Sequence, residues 1–305
     1  MSAEDSSSTP TIPWQPVLVL MAIAAGATTA VALVCWRMGW TVTSPQWSAL
    51  VPIAMWAPAL GRLVARRTVD RDFRSVLTLR RWGTTGPWVI LAPFLIPLAV
   101  YGAAHAVGWT AGFVHWNPGG GKWTSTPQIL ANLGLNLAIL GVWGTFNAMG
   151  EELGWRGYLQ PRLDAAGMRS SVIVVWLCQL AYHAPLMVGA GYLNEGGFAR
   201  SLLLFAVGDL PISFVIAWLA YRAKTLWPAV FLHSFHNTIS QWLYPKLFAS
   251  TNLALLDGEG GVLPMLGYVV LGAALFVWMK RRGPSWRVLA RDALSYRGPP
   301  RNPAR

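Results

Sequence analysis

Long apolar segments that hold almost no charge constrain the fold of this chain more than any other feature. The segment 128–150, for example, contains no ionisable residue. A helix that crosses the hydrocarbon core of a bilayer needs roughly 20 predominantly apolar residues. Segments of this kind lie at about 14–36, 46–65, 87–108, 128–150, 170–190, 201–221, 225–247 and 262–280. The sequence therefore predicts an all-α, polytopic transmembrane helical bundle with about eight spans.

The charge content supports this class and argues against a nucleic-acid-binding protein. Only 12% of the 305 residues are charged, whereas a soluble domain usually carries about 25%. The net charge of +12 comes from arginines clustered beside the apolar segments. Because the sequence has no recognisable RNA- or DNA-binding motif, we expect no nucleic-acid partner. Cys35 and Cys178 both lie in apolar stretches and give neither a disulfide framework nor a CxxC metal site.

Basic residues concentrate in alternate connections between the predicted spans. The connections after the second, fourth, sixth and eighth spans hold Arg62, Arg66, Arg67, Arg71, Arg74, Arg80, Arg81, Arg156, Arg162, Arg169, Arg222, Lys224, Lys280, Arg281 and Arg282. The opposite connections hold few, namely Arg37, Lys122, Arg200 and Lys246. By the positive-inside rule both termini then lie in the cytoplasm. The N-terminus lacks the basic region of a signal peptide, so we expect a retained first span and a protein of the bacterial inner (cytoplasmic) membrane.

This pattern divides the chain into five regions. They are a polar N-terminal tail (1–13), N-terminal spans with a basic cytoplasmic loop (14–127), a core (128–247), a last span (248–282) and a basic C-terminal tail (283–305). Three segments are expected outside the bilayer. They are a basic interfacial helix or loop at 69–82, an outer loop at 109–126 and a solvated tail at 286–305.

Two adjacent carboxylates, Glu151 and Glu152, end the fourth predicted span. Ionisable groups at membrane depth are costly and usually functional. Arg156 follows Glu152 by four residues, the favourable order for a helical ion pair. Asn147 precedes Glu151 by four residues and is placed to hydrogen-bond it. We expect Arg156 to hold Glu152 and to leave Glu151 as a candidate general base. An isolated EExxxR pattern fits an ion cluster at a helix end equally well.

Two other spans also carry polar side chains. His183 lies in the middle of the fifth span, just before Pro185, where a histidine bonded to a backbone carbonyl is the simplest interpretation. His233 and Asn237 are four residues apart and share one side of the seventh span. Because polar groups inside a bundle must be satisfied there, three such sets predict a common site. Their depths along the spans differ, so a tilted or broken helix must bring them together, and the site is expected to open toward the cytoplasm.

These segments resemble the motifs of the CAAX-protease and bacteriocin-processing (CPBP/ABI) family of intramembrane endopeptidases. Residues 150–159, GEELGWRGYL, look like its EExxxR signature. Residues 182–185, YHAP, resemble the second motif, FxxxH followed by Pro, and residues 226–237, LWPAVFLHSFHN, resemble the third, HxxxN after a Trp-Pro turn. The resemblance makes 128–247 a catalytic core. Gln179 departs from the pattern, since it stands where the family has Phe, and it is placed to hydrogen-bond His183.

The resemblance implies an endopeptidase that hydrolyses a peptide bond of a membrane-associated protein or peptide. It implies that Glu151 and His183 activate water, that His233 and Asn237 stabilise the oxyanion, and that Arg156 orders the site through Glu152. Some members are described as metalloproteases, and Glu151, His183 and His233 would then bind zinc. The sequence has no HExxH motif and slightly favours a glutamate mechanism that requires no cofactor.

Two other functions remain open from the sequence. One is a non-catalytic membrane scaffold, or a bacteriocin-immunity-type protein, on the same fold. The other is a proton-coupled transporter that uses Glu151, Asp209 and the histidines as a relay. The chain shows no internal repeat, which counts against a transporter built on inverted repeats.

Overall fold

The computed structural model of the protein describes residues 12–73, 77–79, 86–168, 170–193, 197–256 and 261–295. Most of the predicted N-terminal tail and the last ten residues of the predicted C-terminal tail, 296–305, lie outside the described residues. So do four of the predicted basic positions, Arg74, Arg80, Arg81 and Arg169. Within the described ranges the chain is almost entirely helical, as the apolar segments predict.

Twelve α-helices follow one another in the described chain. They are α1 (Trp14–Met38), α2 (Trp47–Thr68), α3 (Trp88–Thr110), α4 (Thr126–Gly154), α5 (Gln160–Ala165), α6 (Ser171–Gly189), α7 (Phe198–Ala223), α8 (Trp227–Thr238), α9 (Tyr244–Leu247), α10 (Leu253–Leu256), α11 (Val262–Arg281) and α12 (Trp286–Ser295). A π-helical turn (Trp155–Leu159) joins α4 to α5, and a second one (Ile239–Leu243) joins α8 to α9. A 3-10 turn lies at Pro118–Gly121.

Seven helical segments of the described chain are long and apolar enough to cross a membrane. They correspond to the first six predicted spans and the last one, with α4, its π turn and α5 forming one run of 40 residues. The remaining predicted span, 225–247, also forms a continuous run of α8, a π turn and α9, but it is not among the seven, because His233, His236, Asn237 and Gln241 make it more polar. The described chain is thus a polytopic helical bundle with seven long apolar helical runs and one more polar run, from α8 to α9.

The two ends of the bundle differ in charge. One, the Arg-rich end, gathers the connections that follow α2, α5 and α7, together with α12; there the Leu226 amide donates to the Thr78 carbonyl over 3.3 Å. The other, the Arg-poor end, gathers the α1–α2 and α6–α7 connections, where the Val42 amide donates to the Ala190 carbonyl over 2.9 Å. At this end β1 (Val114–Trp116) also pairs antiparallel with β2 (Phe248–Ser250). The predicted outer loop is therefore folded onto the chain that leaves α9.

Glycines let α4 pack closely against its neighbours. A Cβ atom added to Gly150 would lie 2.5 Å from the Met55 carbonyl oxygen of α2. A Cβ atom added to Gly144 would lie 2.9 Å from the Ser234 hydroxyl of α8. Small residues of this kind allow helix backbones to approach in membranes. Gly144 and Gly150 thus allow the part of α4 that carries Glu151 and Glu152 to lie between α2 and α8.

We expect Gly150→Ala to destabilise the protein by about 1–3 kcal/mol, because the added methyl group collides with the α2 backbone. Gly134→Ala in the same helix is the matched control, since a Cβ atom there meets nothing within 4 Å. The control gains up to about 1 kcal/mol from the better helix propensity of alanine. Thermal unfolding in one detergent compares the two variants, and equal midpoints would contradict close packing of α2 and α4.

The predicted solvated tail is wrong for residues 286–295, which form α12. Its apolar side, Leu289, Ala290 and Ala293, is buried, and the Trp286 indole N–H donates to the Asp164 carboxylate over 3.1 Å. The arginine content of this segment indicated a solvated tail. Composition does not report spacing, and the spacing of Leu289, Ala290 and Ala293 gives the helix its apolar side. The described parts of 69–82 form a loop, one of the two expected alternatives.

Candidate active site

The four predicted catalytic residues line one cavity of about 620 Å³ within the described bundle. Its walls come from α2, α4, α6, α7 and α8, from the second π turn, and from the connections before α2 and after α6. The carboxylate, imidazole and carboxamide side chains of the lining are Asn147, Glu151, Gln179, His183, Asp209, His233, His236, Asn237 and Gln241. The bundle therefore brings together polar groups that lie at different depths along their own helices.

Glu151 is held on the cavity wall by neutral donors. Its side chain is buried, and the Trp155 indole N–H donates to Oε2 over 3.1 Å. The Tyr182 hydroxyl lies 3.4 Å from Oε1 and 2.9 Å from the Ala54 carbonyl oxygen. The hydroxyl has a single proton, so the shorter contact to Ala54 is its main hydrogen bond. No ion pair among the described residues involves Glu151, which leaves its carboxylate available for proton transfer.

Glu152 lies behind the cavity wall and makes the ion pair that its spacing predicts. Its carboxylate is 0% exposed, and Arg156 Nη1 donates to Oε1 over 3.0 Å. His233 Nδ1 lies 2.9 Å from the same oxygen. The adjacent carboxylates therefore have different environments, since Glu152 is paired with a cation and Glu151 is not.

A buried polar chain extends from this ion pair to two further helices. Arg156 Nη2 donates to the Ser213 hydroxyl of α7 over 2.9 Å. The Ser213 hydroxyl in turn donates to Gln179 Oε1 of α6 over 2.8 Å. The chain His233–Glu152–Arg156–Ser213–Gln179 thus connects α8, the end of α4, α7 and α6. Such a network can be rigid only when its members are satisfied together.

Gln179 uses its side chain differently from the prediction. The amide oxygen bonds Ser213, and only the backbone carbonyl of Gln179 contacts His183, 2.9 Å from Nδ1. A carbonyl oxygen can only accept, so Nδ1 of His183 carries the proton, and a neutral ring presents Nε2 as an acceptor. The expected bond from the Gln179 side chain to His183 is therefore wrong, because the backbone already occupies Nδ1.

Both site histidines leave one ring nitrogen for a ligand. The ring of His183 lies 4.7 Å from the Phe205 ring and stacks 5.7 Å from the Tyr192 ring, which fixes its plane. The carboxylate of Glu152 accepts from Nδ1–H of His233, so Nε2 of that ring remains. His183 is therefore bonded to a backbone carbonyl, as its simplest interpretation predicts, and it also lines the cavity.

The structure corrects the predicted hydrogen bond of Asn147 and adds Asp209 to the site. Asn147 does not bond Glu151, because its Nδ2 donates to the Trp143 carbonyl over 3.0 Å. Its Oδ1 is buried and has no hydrogen-bond partner among the described residues. Asp209 was not among the predicted catalytic residues, yet it lines the cavity and lies 3.4 Å from the Ser213 hydroxyl. A carboxylate within an apolar span was the signal that pointed to it.

The first motif runs into a π turn, which contains Arg156, and the third motif is followed directly by another. The first π turn begins at Trp155, three residues after Glu152. The second begins at Ile239, two residues after Asn237. Single π turns inside α-helices frequently accompany functional sites, because the extra residue redirects the side chains around it. No residue pattern in the sequence announces either turn.

The lining does not form a metal site in this arrangement. No group of three His, Cys, Asp or Glu side chains among the described residues is placed to hold a metal ion. Glu151, His183 and His233 line the same cavity without forming such a group. Zinc does not fit the present side-chain positions, and the chemistry below is assigned to protein groups.

The cavity opens at the Arg-poor end. Its exposed lining residues, Pro45, Ser48 and Gln241, lie there, whereas Glu151 and Gln179 at the deep end are 2% and 4% exposed. The expected opening toward the Arg-rich connections is therefore wrong. The physical reason is the close contact between α2 and α4 at Gly150 and beyond, which closes the bundle on that side of Glu151.

These features define an integral membrane protein of the polytopic helical class with a buried carboxylate on the wall of a polar cavity. Residues 132–239 match the sequence model of the Rce1-like family, described as type II CAAX prenyl endopeptidase Rce1-like. The match contains all three motifs and confirms the resemblance noted in the sequence. None of the curated proteins compared matches the chain.

Proposed function

We propose that the protein is an intramembrane endopeptidase that hydrolyses a peptide bond of a membrane-associated protein or peptide. The observation that carries the proposal is the meeting of Glu151, His183, His233 and Asn237 in one cavity. Glu151 makes no ion pair among the described residues, whereas the neighbouring Glu152 is paired with Arg156, which leaves Glu151 suited to general-base chemistry. The match of residues 132–239 to a protease family supports the same conclusion.

The proposed reaction begins with a water molecule between Glu151 and His183. Glu151 accepts one proton from the water, and Nε2 of His183 accepts a hydrogen bond that orients it. The water oxygen then forms a bond to the carbonyl carbon of the substrate. Glu151 returns the proton to the leaving nitrogen as the carbon–nitrogen bond breaks, so that an amine and a carboxylic acid result.

The oxyanion of the tetrahedral intermediate needs donors fixed in advance. We assign this role to Nε2–H of a protonated His233 and to the side-chain amide of Asn237. Glu152 accepts from the other nitrogen of His233 and compensates the charge of the protonated ring. Arg156 in turn holds Glu152. Glu152 and Arg156 are therefore positioning residues, since they act through His233.

We propose the bacterial inner membrane as the location and the bilayer and a membrane-associated polypeptide as the partners. Seven apolar helices support the bilayer location. The charge difference between the two ends supports an orientation with both termini in the cytoplasm.

Replacement of His183 tests the proposal. We expect His183→Ala to lower kcat on membrane-anchored peptides by about 10²–10⁴-fold, because the water loses an oriented acceptor. The matched control is His105→Ala in α3. Nδ1 of His105, like that of His183, contacts the carbonyl four residues earlier, that of Tyr101, over 2.9 Å, but His105 does not line the cavity. Activity is measured per folded protein in lipid nanodiscs.

Equal loss in both histidine variants would indicate a packing effect and contradict the assigned role of His183. The same assay with a chelator tests the glutamate mechanism. We expect the rate to persist in the chelator. Removal of stoichiometric zinc together with the activity would overturn the metal-free assignment.

A further inference from the structure

The position of the cavity mouth bears on where the substrate comes from. The mouth is formed by the start of α2, with Trp47 and Ser48, and by Gln241 and Trp242 in the second π turn. Trp143 of α4 completes it and is 41% exposed. All these residues lie toward the Arg-poor end of the bundle. No described lining residue belongs to the connections of the Arg-rich end.

The charge of the two ends gives the mouth a side of the membrane. Cytoplasmic connections of membrane proteins carry the excess of Lys and Arg. The Arg-rich end is therefore cytoplasmic, and the mouth, at the other end, faces away from the cytoplasm. A substrate segment can reach Glu151 from that side without crossing the close contact of α2 and α4.

We propose that the cavity receives its substrate from the extracytoplasmic side, as an apolar segment of a membrane-associated polypeptide. This inference rests on the proposed endopeptidase function and adds the side of entry and the chemistry of the segment. It gives the enzyme a class of substrates different from proteins that carry their cleavage site in the cytoplasm.

The lining supports an apolar entry route. Val51 of α2 and Leu140 of α4 stand on the two sides of the route, and Trp47, Trp143 and Trp242 surround its mouth. Tryptophan is common where membrane proteins meet the interface between lipid and water. An apolar segment leaving the outer leaflet would thus exchange lipid for aromatic and aliphatic side chains before it reaches the polar floor.

Site-specific labelling determines the side of the mouth. Both native cysteines are first replaced (Cys35→Ala, Cys178→Ala), and a single cysteine is then introduced by Ser48→Cys at the mouth. Arg291→Cys on α12, where the side chain is 75% exposed, is the matched variant at the Arg-rich end. We expect a membrane-impermeant maleimide to label Ser48→Cys in spheroplasts and Arg291→Cys in inverted vesicles. The opposite pattern would overturn the inference.

A paired cleavage assay tests the substrate. Two membrane-anchored reporters carry the same internal apolar segment, one on each side of the membrane. We expect cleavage of the extracytoplasmic reporter alone. We also expect its cleavage to stop when the Ser48→Cys variant is labelled with a bulky maleimide, while labelled Arg291→Cys keeps its unlabelled rate.

The outcomes separate the inference from the proposed function. Cleavage of the cytoplasmic reporter alone, or of both reporters equally, overturns the inference and leaves an endopeptidase. Absence of cleavage of any reporter by the wild-type protein, with labelling from the outside, overturns the proposed function, while the labelling itself still supports an extracytoplasmic mouth.

Discussion

Glu151→Gln is expected to abolish peptide hydrolysis and to leave the fold intact. The amide has nearly the same shape as the carboxylate, and its oxygen can still accept from the Trp155 indole, which lies 3.1 Å from the carboxylate. It cannot accept a proton from water. Because general-base catalysis contributes about 10²–10⁴-fold, kcat should fall by that factor or more. Single-turnover cleavage of a membrane-anchored peptide measures the loss, and thermal unfolding measures the fold.

Asp164→Asn is the matched control for Glu151→Gln. Asp164 is also a carboxylate on the α4–α5 run that is held by neutral donors, among them Ser171 and Trp286. It does not line the cavity, so its replacement should leave kcat unchanged. If Glu151→Gln cleaved as fast as the wild type, Glu151 would not be the base. A non-catalytic scaffold would behave in that way, with its cellular role intact in the variant.

Local geometry explains how much of the site could be predicted from the sequence. The pairing of Glu152 with Arg156 follows from a four-residue spacing on one helix. The common side of His233 and Asn237 follows from the same rule. The membrane-spanning class follows from length and hydropathy. In each case the information lies within one segment of about 20 residues or fewer, where helix geometry fixes the relative positions.

Contacts between helices could not be predicted in this way. His233 reaches Glu152 because α8 packs against α4, where Gly144 meets Ser234. Ser213 enters the network through Arg156, although nothing near it in the sequence marks it as a partner. The direction of the cavity also depends on where neighbouring helices touch and where they separate. Counting residues from the helix ends predicts how deep each polar group of the site lies along its own helix. It does not show at which end of the bundle the cavity opens, and the predicted end was wrong.

Glu152→Gln is expected to cause the largest loss of stability among the single variants. Glu152 is 0% exposed and neutralises Arg156, which is 1% exposed, over 3.0 Å. Removal of its charge leaves the guanidinium buried without a counterion. Breaking a buried pair in this way costs about 3–5 kcal/mol. The unfolding midpoint in detergent should fall well below that of Glu151→Gln, although the two substitutions are chemically identical and adjacent.

The double variant Glu152→Gln/Arg156→Met separates stability from positioning. It removes both charges, and replacement of a buried pair by uncharged side chains of similar size is often neutral for stability. We therefore expect the double variant to recover most of the stability that Glu152→Gln loses. Its kcat should stay low, because Nδ1 of His233 has lost the carboxylate that lies 2.9 Å away and compensates a protonated ring. Recovery of activity together with stability would mean that the ion pair serves only the fold, and the role assigned to Glu152 through His233 would have to be abandoned.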